Sequence, residues 1–303
     1  MVYMTAQIPS LTKFQIWMLA ARPKTLPAAA ASTILGSAIA YSDGKFLFFP
    51  ALAALFISIL LQVGANFAND LFDFMHGADK DNRMGPLRVT QSGLLSPGKV
   101  KLGMFLVFGS SILLGFYLAW VAGWWVIVIG FSAIFAALAY TGGPFPYGYY
   151  SLGDLFVLIF FGFVAVCGTY YVQALTISTA SIWGGFAMGL LITNILVVNN
   201  LRDIETDRAA NKFTLAVRLG VNGSKLEYLI CMILAYSVPA ILFFGFKIYV
   251  GSMLTWLSIP LAIQQFLEIN KSTGRALNHS LAGTARLALI YALLFSFGIL
   301  IFQ

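Results

Sequence analysis

Charge is scarce in this sequence: only 10% of its 303 residues are Asp, Glu, Lys or Arg, against 60% hydrophobic residues and a mean hydropathy of +0.87. That balance excludes a soluble globular protein, because no polar surface of that size would keep the chain in water. There are just two cysteines, Cys167 and Cys231, both inside apolar runs. Neither a disulfide framework nor a cysteine metal site follows from them, and packing is their expected role. The N-terminal stretch also lacks the short apolar core and small-residue cleavage site of a secretory signal. Phe14, Trp17 and the basic residues around them suit an interfacial helix instead.

What the chain has in abundance is apolar runs. About 20 apolar residues in a helix cross the ~30 Å hydrocarbon layer. Runs of this kind recur at 26–42, 47–72, 101–120, 124–140, 153–174, 181–201, 226–245, 249–268 and 284–302. The reading is an all-α polytopic membrane protein of about nine transmembrane helices. It forms a single domain over 1–303, with 1–25 as an interfacial segment and 74–100 and 202–225 as cytoplasmic loops. With the N-terminus inside, the cytoplasmic side holds 16 of the 18 lysines and arginines, leaving Lys45 and Lys247 outside. The formal charge of +7 is then a topology signal, and nucleic acid drops out as a partner. The expected location is a bacterial inner membrane, with lipid as solvent for most of the chain.

The few acids are concentrated. Residues 66–73 read NFANDLFD, which places Asn66, Asn69, Asp70 and Asp73 on one helical face. Asp79 and Asp81 follow, among Lys80, Arg83 and Arg88. Residues 199–207 read NNLRDIETD, which puts Asn199, Asp203 and Asp207 on a second such stripe, with Arg202, Arg208 and Lys212 around it. The two stripes end the second and sixth spans, an offset that hints at internal duplication. Carboxylates at membrane-helix ends must pair, bind cations or face water. Crowded acids are relieved by a hard divalent cation, Mg²⁺ above all where phosphates complete its shell, and the basic neighbours suit the rest of a phosphate's charge. Such a set fits ionisation of an allylic diphosphate, with the tail held among apolar helices. A cation-coupled transporter would carry its acids near the bilayer midplane, whereas these lie at helix ends.

The two Asn/Asp motifs, on the second and sixth of nine helices, resemble those of the UbiA-type membrane prenyltransferase superfamily. ARPKTLPAA at 21–29, GPLRVTQSG at 85–93 and NNLRDIETDRAANKFTLA at 199–216 resemble its 1,4-dihydroxy-2-naphthoate polyprenyltransferase branch more narrowly. The resemblance implies Mg²⁺-dependent transfer of a polyprenyl chain from polyprenyl diphosphate to 1,4-dihydroxy-2-naphthoate, with decarboxylation, in menaquinone or phylloquinone biosynthesis. Other aromatic acceptors, 4-hydroxybenzoate or homogentisate, remain as alternatives. It assigns Asn66, Asp70 and Asp73 to one metal cluster and Asn199, Asp203 and Asp207 to the other. Asn66, Asn69, Lys80, Arg83, Arg88, Tyr140, Asn199, Arg202 and Lys212 are the expected diphosphate contacts. Asp70 and Asp73 are three residues apart, a departure from strict DxxxD spacing that leaves open which of Asp70, Asp73 and Asp79 ligates. Arg22 and Lys24 open the first span within a family-like motif, and Tyr140 equally suits an interfacial belt. His76, beside the first cluster, could act as base or ligand, whereas a histidine at a membrane surface is more often merely solvated.

Overall fold

The computed structural model describes residues 11–77, 84–85 and 87–302. Asp79, Lys80, Asp81 and Arg83, and the first ten residues of the expected interfacial segment, lie outside the described residues. Every regular element among the described residues is helical. A short helix α1 (Lys13–Ala21) starts on a capping box between Thr12 and Gln15 and ends where Arg22 turns left-handed at φ 52°. It is followed by α2 (Leu26–Ser42), α3 (Phe48–Met75), α4 (Pro97–Ala122), α5 (Trp125–Ala139), α6 (Gly153–Ala174) and α7 (Thr179–Arg202). Then come α8 (Ile204–Ala209), α9 (Leu215–Gly245), α10 (Val250–Lys271) and α11 (Gly274–Ile301).

Helix starts follow local chemistry. Ser96 precedes Pro97 at the first position of α4, where a missing N–H costs nothing. The Ser178 hydroxyl accepts from Ser181 N at 3.1 Å to cap α7, and the Thr214 hydroxyl accepts from Val217 N at 3.3 Å to cap α9. Inside α9, Pro239 cannot donate to the helix ladder, and a π-helical turn over Ile241–Gly245 follows it.

All nine expected apolar runs are helical, and seven of the helices are long and apolar enough by themselves to cross a bilayer. The other two are shorter: α2 has 17 residues and α5 has 15. At 1.5 Å per residue, α5 covers about 22 Å, less than the hydrocarbon layer. The connection expected over 202–225 is also more ordered than a loop. It contains α8 and the first turns of α9, interrupted at Gly220, whose φ of 72° breaks the helix just before the apolar run begins.

The most buried long helix is α7, with other helices packed around it. Gly162 of α6 faces it so closely that a Cβ there would lie 2.7 Å from Gly189 Cα. Small residues let membrane helices approach to backbone contact, where dispersion holds them. The outward faces of α4 and α9 carry exposed Leu, Ile and Phe, as a lipid-facing surface requires. Cys167 and Cys231 are free and packed among the helices.

Candidate active site

The first Asn/Asp stripe sits at the C-terminal end of α3, whereas the second, expected on one helix, is divided: Asn199 lies in the last turn of α7, the helix breaks at Asp203 (φ −98°, ψ 10°), and Asp207 lies on α8. Asp70 is buried and accepts two backbone hydrogen bonds, from Val89 N at 3.1 Å and Thr90 N at 3.2 Å. This carboxylate therefore shapes the returning loop into a turn directly beneath the helix. Asp73, one turn on, is buried against the Arg88 guanidinium, and the Tyr149 phenol donates to its other oxygen at 3.3 Å. Asn69 accepts from the Thr141 hydroxyl at 3.0 Å. Asn66 faces the N-terminal segment, donating to Ala21 O at 2.9 Å and the Thr25 hydroxyl at 3.1 Å.

The second stripe straddles that break. The Arg202 guanidinium binds Asp203 through Nε and Nη2, reaches Asn199 Oδ1 at 2.9 Å and meets Asn278 Oδ1 at 2.8 Å. Asp207, on α8, has the Lys212 ammonium 3.5 Å from one oxygen. Its other oxygen is buried without a hydrogen-bond partner among the described residues. Burial pushes the Asp207 carboxyl up to about 6, with the Lys212 charge opposing the shift. Burial alone would lower Lys212, but the Asp207 and Asp73 carboxylates outweigh it and hold the ammonium above its ordinary value.

Tyr149 joins the two halves. Its phenol meets Asp73, the Lys212 ammonium lies 5.5 Å from its ring centre, and its carbonyl accepts from Phe213 N at 3.0 Å. Burial, with Asp73 adding, raises this phenol to about 12, so it stays a hydrogen-bond donor throughout the physiological range.

Above these groups lies a cavity of about 780 Å³. Its polar end is lined by Arg22, Lys24, Asn69, Tyr140, Asn199 and Arg202, and its long remainder by aliphatic and aromatic side chains of α3 to α7. The arrangement offers charge at one end and an apolar sleeve along the rest, the shape needed by an amphiphile with an anionic head.

The model of the UbiA prenyltransferase family matches residues 29–282. The chain belongs to that family. It is 39% identical to the 1,4-dihydroxy-2-naphthoate octaprenyltransferase of Escherichia coli strain K12, over 97% of this chain and 97% of that protein. The protein of the same name from Haemophilus influenzae is also 39% identical, over 95% of this chain and 97% of its own length. Among solved structures, a UbiA homolog from Archaeoglobus fulgidus bound to GPP and Mg²⁺ superposes with a TM-score of 0.65 at 13% identity, covering 93% of this chain and 99% of that one. At that identity the likeness is one of fold.

For a UbiA-family member, the donors present are suited to a hard cation: carboxylates and amides, with the buried unpartnered Asp207 oxygen as a ready acceptor. No three acids, histidines or cysteines converge into a metal site among the described residues. Instead Asp73, Asp203 and Asp207 are engaged by Arg88, Arg202 and Lys212. The cations and the acids are thus stored on each other. His76 caps the end of α3, exposed, with its ring centre 6.5 Å from that of Tyr149. Arg208 is exposed and pairs with Glu205 at 3.5 Å.

Three residues near the site escaped the sequence reading. Tyr149 was hidden in the run YGYY, where nothing distinguishes one tyrosine from its neighbours. Asn278 lies far from either motif. Asp154, buried in the first turn of α6 with an Oδ1 that has no hydrogen-bond partner among the described residues, is an isolated acid whose only local cue is its place at a helix N-terminus.

Proposed function

We propose that this protein transfers a polyprenyl group from polyprenyl diphosphate to 1,4-dihydroxy-2-naphthoate, with Mg²⁺ as cofactor, in menaquinone or phylloquinone biosynthesis. The observation that carries the reading is the apolar cavity whose polar lining takes Asn69 from the first motif and Asn199 and Arg202 from the second. The full-length likeness to two 1,4-dihydroxy-2-naphthoate octaprenyltransferases supports the acceptor.

In this reading the diphosphate enters the polar end, and Arg88, Arg202 and Lys212 transfer their hydrogen bonds from the carboxylates to its oxygens. Asp70, Asp73, Asp203 and Asp207, with Asn66 and Asn199, are the groups that would hold Mg²⁺. When bound, the metal supplies further neutralisation of the diphosphate charge. Asn69, Tyr140, Lys80 and Arg83 belong to the same proposed diphosphate set. The prenyl tail lies along the aliphatic lining, which also keeps water from the allylic carbon. The bond from that carbon to the diphosphate oxygen breaks. A new bond forms to the ring carbon bearing the carboxylate, whose own carbon–carbon bond then breaks to release carbon dioxide and restore the aromatic ring. Loss of the gas makes the transfer effectively irreversible.

The distribution of lysine and arginine supports cytoplasmic placement of both motif loops, and the same proposal takes a bacterial inner membrane as the host and residues 1–303 as one catalytic domain. The test is turnover by the purified protein in liposomes with Mg²⁺, a polyprenyl diphosphate and 1,4-dihydroxy-2-naphthoate. Mass spectrometry should detect prenylated naphthoquinol, lost with chelator and in Asp70→Ala and Asp203→Ala. Product from 4-hydroxybenzoate or homogentisate alone would overturn the acceptor.

A further inference from the structure

We infer that Asn278, in the first turn of the last helix and outside both acid motifs, is a positioning residue for the diphosphate half of the site. The inference rests on the reading above, in which Arg202 serves the diphosphate. Asn278 Oδ1 accepts from Arg202 Nη1 at 2.8 Å, and its Nδ2 donates to Met84 O at 3.0 Å. An arginine has only donors and a carbonyl only accepts, so one orientation of the Asn278 amide serves both.

Both contacts are tertiary, spanning 76 and 194 residues of chain, and neither serves the helix that carries Asn278. The Arg202 side chain is 1% exposed. Asp203 and Asn199 hold its Nε and Nη2, and among the described residues Asn278 alone holds Nη1. Asn278 therefore selects the plane in which the guanidinium lies, and with it the edge presented to the cavity that both residues line. The other arm reaches the loop that also bears Arg88. One amide thus connects α11, the α7 motif and the loop that follows the α3 motif. Without it, a buried cationic donor loses its acceptor and the guanidinium turns toward its remaining carboxylate, Asp203, away from an incoming anion.

The test compares wild type with Asn278→Leu, which keeps the volume and removes both hydrogen bonds, and Asn278→Gln, which keeps both functions on a longer arm. Binding of geranylgeranyl diphosphate in Mg²⁺ is measured by calorimetry, and KM is measured separately for diphosphate and naphthoate. Asn278→Leu should bind the diphosphate about tenfold more weakly, as expected for losing a hydrogen bond to a charged group. The naphthoate KM should be unchanged, and Asn278→Gln should recover part of the affinity. Equal diphosphate affinity in wild type and Asn278→Leu overturns the inference. So does a matched loss for both substrates, which marks a structural role only. If wild type binds the diphosphate but does not prenylate naphthoate, the acceptor assignment falls while the binding ratio still decides the role of Asn278.

Discussion

Tyr149 donates its phenol hydrogen to Asp73 at 3.3 Å, a contact across 76 residues that ties the chain following α5 to the acid stripe of α3. Lys212 stands 5.5 Å from the centre of the same ring, so this side chain separates, and aligns, the two charged halves. Tyr149→Phe keeps the ring under the ammonium and removes one hydrogen bond to a carboxylate. A loss of about 1–2 kcal/mol in transition-state stabilisation is expected, read as a roughly tenfold fall in kcat/KM for the diphosphate. Tyr149→Ala removes the cation–π contact as well and should be worse.

Asp73 and Arg88 form a buried ion pair, each side chain 7% exposed. Removing one partner strands the other charge, so Arg88→Met alone should lower stability by about 3 kcal/mol. The double change Asp73→Asn with Arg88→Met removes both charges and should recover much of that loss. Thermal denaturation in detergent measures the recovery, while turnover should stay absent in the double variant. Restored activity there would show that neither charge is needed for chemistry.

Asp70 binds Val89 N and Thr90 N, so it organises the loop as much as it offers charge. In Asp70→Ala those amides lose their acceptor. Hydrogen exchange followed by mass spectrometry should show faster exchange over residues 87–93, with the helix cores unchanged. Asp70→Asn retains one acceptor oxygen and should protect the loop in part.

Gly251 and Gly298 bring α10 and α11 to backbone contact, and a Cβ on either would overlap the other's carbonyl oxygen. Gly298→Ala must push the helices apart, at a cost of about 1–3 kcal/mol. A lowered melting temperature with near-normal KM values is expected, since this contact lies at the opposite end of α11 from Asn278.

Much of this architecture was legible without coordinates. Membrane embedding, all-α structure and the approximate course of nine helices follow from hydropathy, which each segment carries within itself. The Asn/Asp stripe of α3 was equally readable, because one-face spacing on a helix is a local property of residues three or four apart, while the break at Asp203 that divides the second motif between α7 and α8 was not. Their partners were not. Asp70 turned to backbone amides 19 and 20 residues away, Asp73 to Arg88 and Tyr149, and Arg202 to Asn278. Nothing local marks such pairs, since a buried charge takes whichever group packing brings within reach. The sequence by itself determined where the acids lie along the chain, because periodicity and hydropathy act over a few residues. Only the tertiary structure decided which distant groups complete each cluster, Tyr149 on Asp73 and Asn278 on Arg202, because those contacts depend on how segments far apart in sequence pack together.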